Sequence, residues 1–172
     1  MRLALPLIAM SLALTATAAS AAGEKATAKL VGGGGAAKGT ATLMQTDAGV
    51  TLSYSGTGLP PGTHGIHVHM VGKCDGPDFT TAGSHWNPTQ HQHGTENPAG
   101  PHMGDLQNLT VDGRGRTKFS ATIAGAQLKG GDNAMLDADG AALVIHASAD
   151  DYKTDPSGNS GGRIACGVLK AK

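Results

Sequence analysis

The stretch HGIHVHMVGKC, residues 64–74, places three histidines within six residues of a segment patterned as a β-strand. Apolar Ile66 and Val68 alternate with His67 and His69. A strand rises ~3.3 Å per residue and turns successive side chains to opposite faces, so His67 and His69 share a face with Cα atoms about 6.6 Å apart. Ile66 and Val68 take the face that fills a core. His64 shares their parity and is read as a hydrogen-bonded structural histidine, not a ligand. Two imidazoles on one strand face are either a surface pair or two ligands of one metal ion, and the segment alone leaves both open.

Working outward, similar short runs recur at 25–31, 39–45, 50–54, 108–111, 117–123, 141–147 and 163–169. Turn signals divide them: Gly32-Gly33-Gly34-Gly35, Asp47-Ala48-Gly49, Asp112-Gly113-Arg114-Gly115 and Asp139-Gly140. With 27 glycines and only two Phe, two Tyr and one Trp, the core must come from Val, Leu, Ile, Ala and Met. Together with the 65–71 strand this predicts an all-β, eight-stranded antiparallel sandwich or barrel. Residues 124–135 admit a helical turn, weakened by Gly125, Gly130 and Gly131. Residues 72–105 and 149–162 do not fit a tight-turn protein. A loop of 34 residues inside a compact domain is functional or mis-assigned, and this one has too few apolar residues to pack itself.

The chain opens with Arg2, an apolar run over 3–14 and small residues around Ala19-Ser20-Ala21. That pattern reads as a secretory signal over 1–22, too short for a membrane span, followed by one domain over 23–172. Thirteen basic and thirteen acidic side chains balance, and loss of Arg2 leaves about −1. No nucleic-acid or membrane-surface partner is indicated. Cys74 and Cys166 are the only cysteines. In an exported chain they suggest one disulfide.

Eight histidines are present, seven of them within 64–102. The long loop supplies His85, His91, His93, His102 and Asp105, and the 141–147 strand adds His146. Imidazoles suit copper, zinc, iron or nickel. His102-x-x-Asp105 makes a compact chelate, and three nitrogens with one carboxylate form the closed tetrahedral set of structural zinc. His91 has no partner in this scheme and is read as exposed. HExxH and CxxC are absent, which disfavours a zincin protease and a zinc finger. The glycine run 32–35 lacks GK[ST] and a following helix, so it is a turn, not a phosphate cradle.

Taken together, HGIHVH, GKC, AGSHWNP, HMGDLQNL, LVIHASADDY and GNSGGRIACGV closely resemble the copper–zinc superoxide dismutases of exported bacterial type, over residues 39–168. The resemblance implies a Greek-key sandwich or barrel with two long functional loops. It implies one copper ion per subunit on His67, His69, His85 and His146, and one zinc ion on His85, His93, His102 and Asp105, with His85 shared. Cys74 would tie the long loop to Cys166 on the last strand. Asp150 would hold His67 and His93 from behind, and Arg163 would guide superoxide anion to the copper. The implied reaction converts superoxide to dioxygen and hydrogen peroxide, with His85 as proton carrier. Lys153 is the only lysine in the second loop, which puts strong long-range steering in doubt. Trp86 is either a subunit contact of a homodimer or loop packing. An exported metal store without catalysis and a zinc-only module are the competing readings. Export implies the periplasm, or the extracellular space of a host with a single membrane.

Overall fold

The computed structural model describes residues 23–172, so the secretory-signal reading of 1–22 lies outside the described residues. Ten strands follow among those described: β1 Lys25–Val31, β2 Ala37–Thr46, β3 Gly49–Gly56, β4 Gly62–His64, β5 Ile66–His69, β6 Leu109–Val111, β7 Thr117–Ala124, β8 Ala142–His146, β9 Arg163–Val168 and β10 Lys170–Ala171. Eight form one curled sheet in the order β5-β8-β9-β1-β2-β3-β7, with β10 beside β1, and β4 pairs β6 in a small second sheet. The pairings are antiparallel. The chain links the two edges of the curl. β4 passes through Gly65 into β5, and β6 turns at the Asp112–Gly115 hairpin into β7, closed by Asp112 N–H to Arg116 O at 2.8 Å.

Alternation fills the interior. On β2, Ala41, Leu43 and Gln45 point inward while Thr40, Thr42 and Met44 are exposed. Leu30, Leu43, Val50, Leu52, Ile66, Val68, Leu143 and Ile145 meet in the core. Each such side chain contributes roughly 1.5–3 kcal/mol relative to exposure. Gln45 closes one end: its Oε1 accepts from Leu128 N–H at 2.8 Å, and its Nε2 donates to Gly49 O at 3.2 Å.

Three expectations shift. Residues 124–135 contain no helix; Gln127 and Ala134 form a parallel bridge and Met135 N–H returns to Gln127 O, because the glycines favour a looped excursion. The strand read over 65–71 stops at His69, since Met70 and Val71 N–H groups turn to Ser84 O and Ala82 O. The outer faces of β5 and β8 are not exposed, because every residue of both strands is buried. The long loop folds back over them, seating Phe79 and Ala82 against Ala142, Val144 and Cys166.

The Cys74–Cys166 disulfide spans 92 residues and clamps that cover to β9. Chain-entropy reasoning makes such a link worth up to ~4–5 kcal/mol. Trp86 is 6 % exposed and belongs to the main core, so it packs the long loop against the sheet.

Candidate metal centre

β5 is the rack. Its inner edge pairs β8 in the register Ile66 to Ile145 and His69 to Ala142. Its other edge takes the long loop, with bridges from His67 to Asp105 and from His69 to His85. Val68 exchanges backbone hydrogen bonds there with Gly104 and Trp86, at 2.9 and 2.8 Å. Gly104 must be glycine for this approach, since a Cβ would lie 2.4 Å from Val68 O. Residues distant in sequence are thus laid beside His67 and His69 as an improvised strand.

Two groups of four result. His67, His69, His85 and His146 each offer a ligand atom within 4.8 Å of the others, and so do His85, His93, His102 and Asp105. His85 belongs to both. All six histidines are buried.

Outer contacts decide which ring nitrogen faces inward. His67 Nε2–H donates to Asp150 Oδ2 at 2.6 Å, which leaves Nδ1 for the metal. His69 Nδ1–H donates to Gly83 O at 2.9 Å and His146 Nδ1–H to Gly161 O at 3.2 Å, which leaves both Nε2 atoms. His93 Nε2–H donates to Asp150 Oδ1 at 3.0 Å, which leaves Nδ1. Such contacts fix tautomer and ring orientation at metal sites.

These inward atoms fit two cations. His67 Nδ1 and His85 Nε2 are buried without a hydrogen-bond partner. His69 Nε2 and His146 Nε2 face each other at 3.4 Å as two lone pairs. Buried lone pairs converging in this way are costly without a shared cation. In the second group, Asp105 Oδ1 lies 2.8, 3.0 and 3.3 Å from the Nδ1 atoms of His85, His93 and His102. Four imidazole nitrogens suit copper, and three nitrogens with a carboxylate suit zinc.

The electrostatics separate the two groups. Burial, then the neighbouring imidazoles, lowers His69 to about 2, His146 to about 3 and His85 to about 4. Their lone pairs are therefore free at neutral pH. Burial also opposes charge on His93, but the carboxylates of Asp105 and Asp150 on either side outweigh it and raise the group to about 9. Both carboxyls are held well below the usual range, because hydrogen bonds from the surrounding histidines outweigh burial.

Arg163, opposite His146 across β8 and β9, donates from Nη1 to Phe79 O and from Nη2 to Gly83 O, both at 2.7 Å. It stands in a cleft of about 230 Å³ with His69, His85, His146 and Ser157 in its walls. Gly83 O therefore serves two masters, His69 and Arg163. Asp150 is fixed by Asn108, which accepts its N–H at 2.8 Å and donates to its carbonyl at 2.9 Å. The sequence reading missed Gly83, Gly161 and Asn108, since two act through backbone carbonyls and only the HMGDLQNL motif hinted at the third. His64 lies between His146 O at 2.8 Å and Pro60 O at 2.9 Å, a brace for the His146 backbone. His91 is exposed and belongs to neither group.

Comparison with known proteins agrees with this geometry. The family described as copper/zinc superoxide dismutase (SODC) matches residues 37–169. Superoxide dismutase [Cu-Zn] 1 of Aquifex aeolicus is 46% identical over 134 residues, covering 77% of this chain and 79% of that protein. Superoxide dismutase [Cu-Zn] of Caulobacter vibrioides is 40% identical over 148 residues, covering 84% and 85%. A solved double mutant of a superoxide dismutase-like protein from Bacillus subtilis superposes with a TM-score of 0.81 at 43% identity, covering 83% of this chain and 95% of that one. With both ligand sets complete and the fold shared, the chain belongs to the copper/zinc superoxide dismutase family.

Proposed function

We propose that this chain is an exported enzyme that converts two superoxide anions and two protons into dioxygen and hydrogen peroxide, protecting extracytoplasmic components. The observation that carries the reading is one imidazole, His85, shared by two ligand groups beside a cleft that holds Arg163. Bound copper would supply one-electron exchange, and bound zinc a fixed charge without redox chemistry.

The chain's own groups do the rest. Arg163, half-buried with its fork held by two carbonyls, presents a fixed positive charge to a small anion. His85 lines the same cleft, and its free Nε2 can hold a proton and pass it to a reduced oxygen species. The low value of His85, about 4, favours giving that proton up. Lys153 is paired with Glu96 at 2.8 Å, so Arg163 carries the attraction locally. Every group named comes from one chain, so the chemistry does not require a second copy.

Export rests on the apolar run over 3–14 and the small residues after it. The disulfide suits an oxidising compartment, the periplasm or the exterior. A metal store would need neither an anion guide nor a shared imidazole, and this favours the enzyme. The test is metal analysis of purified mature protein with superoxide disproportionation measured with and without cyanide. Copper and zinc in equal amounts with cyanide-sensitive turnover is expected, and His146→Ala should abolish the turnover while keeping the fold. Full metal loading without turnover would leave the store.

A further inference from the structure

We infer that zinc enters and leaves through its own opening, separate from the Arg163 cleft, with His91 as the ligand that first receives the ion. The inference rests on the zinc assignment above and concerns how that site is reached.

Two clefts touch the metal centre and share no residue. The Arg163 cleft has His69, His85 and His146 in its walls but none of the ligands that belong to zinc alone. A dication using it would have to pass a guanidinium and then displace His85. The second cleft, about 380 Å³, lies between the long loop and the end of β7. His102 and Asp105, which belong to zinc alone, line it, and its lining contains no lysine or arginine among the described residues. His102 is also the most exposed imidazole of the zinc group, at 8 %, against 5 % for His85 and 0 % for His93.

His91 stands in the same cleft, exposed. Its backbone is held independently of its ring: Asn87 Oδ1 accepts His91 N–H at 3.1 Å, and Asn87 Nδ2 donates to His91 O at 2.8 Å. The ring donates Nδ1–H to Pro101 O at 3.2 Å, which leaves Nε2 as the nitrogen not held by the backbone. A hydrated zinc ion must shed water before it reaches the buried ligands. An exposed imidazole at the mouth replaces one water early and lowers the barrier in both directions, while the final site is unchanged.

The test uses copper-loaded mature protein stripped of zinc by a chelator. Zinc uptake is followed by stopped flow with a zinc indicator, and release by transfer to excess chelator. His91→Ala should slow uptake and release alike, by about tenfold, which is about 1.4 kcal/mol on the barrier, and leave the zinc dissociation constant unchanged. His91→Asp, which restores a ligand, should recover the rates. Ala124→Trp, which fills the second cleft, should slow exchange, and Ser157→Trp, which fills the Arg163 cleft, should not. Wild-type exchange rates in His91→Ala would overturn the inference, as would a weakened dissociation constant at unchanged uptake. Slowing by Ser157→Trp equal to that by Ala124→Trp would also overturn it. Failure of the wild-type protein to take up zinc at all would instead refute the zinc assignment.

Discussion

Gly158→Ala is expected to cripple the zinc site from outside it. Gly158 is buried with φ +63°, and a Cβ there would lie 1.9 Å from Asp150 Oδ1 and 2.6 Å from His93 Nε2. Ordinary contact begins near 3.4 Å, so the carboxylate would have to retreat by more than an ångström. Its hydrogen bonds of 2.6 Å to His67 and 3.0 Å to His93 cannot both survive that shift. Each charge-assisted bond is worth roughly 1.5–3 kcal/mol. The left-handed backbone adds about 1–2 kcal/mol once a Cβ is present. Zinc affinity should fall about 10–100-fold, the usual effect of losing the partner that orients a ligand histidine. Two controls separate the causes. Gly35 has φ +83° but nothing within 4 Å, so Gly35→Ala carries the backbone cost alone. Gly162, on the same loop as Gly158, has neither constraint, so Gly162→Ala should be silent. Chelator competition gives the zinc affinity, and urea denaturation of the metal-free protein gives stability. Wild-type zinc affinity in Gly158→Ala, with a stability loss no larger than that of Gly35→Ala, would refute the reasoning.

Further outcomes follow from the same contacts. Arg163→Ala should lower kcat/KM by about tenfold or more and flatten its dependence on ionic strength, because Lys153 is neutralised by Glu96; stopped-flow turnover across a salt series checks both. Replacing Cys74 and Cys166 together by serine should cost up to ~4–5 kcal/mol of stability, read by denaturation. Zinc binding to the metal-free protein at pH 7 should release a proton, since His93, raised to about 9, is protonated there and must give up Nδ1–H. Zinc affinity therefore rises with pH up to about 9 and falls on acidification, whereas three of the copper ligands, His69, His146 and His85, are lowered to about 2, 3 and 4, so copper binding resists acid longer. Calorimetry in two buffers of different ionisation enthalpy measures the proton count.

Much of the fold was legible because alternation is a local signal. Each of the eight runs read from the sequence falls on a strand, and Asp112-Gly113-Arg114-Gly115 makes the hairpin its composition demands. What escaped was decided by contacts made elsewhere. β4 and β10 are three and two residues long and exist only through their partners, β6 and β1. Glycine in 124–135 does break the helix, but a backbone pairing between Gln127 and Ala134 takes its place, anchored by Gln45 from 83 positions away. The burial of both faces of β5 is the clearest case. A His-x-His pattern leaves a surface pair and a buried pair both open, and Phe79 and Ala82, fastened by the disulfide, roof the sheet beside it.

The ligands were legible by residue type, spacing and family likeness, but not the atoms they use. His67 and His69 sit two apart on one strand face and present different nitrogens, Nδ1 and Nε2. Nothing in His-Val-His distinguishes them. The difference lies in what stands behind each ring: a carboxylate 83 positions later for one, and a carbonyl 14 positions later for the other. The carbonyl belongs to Gly83, which also fixes Arg163, so the loop that orients a copper ligand also holds the Arg163 fork. The carboxylate, Asp150, also orients His93 in the zinc group. Each of the two rings is therefore tied to a second functional element through a group that touches no metal. Displacing Gly83 should disturb substrate capture and copper together, and displacing Asp150 should disturb copper and zinc together. That division follows from which atom stands behind which nitrogen.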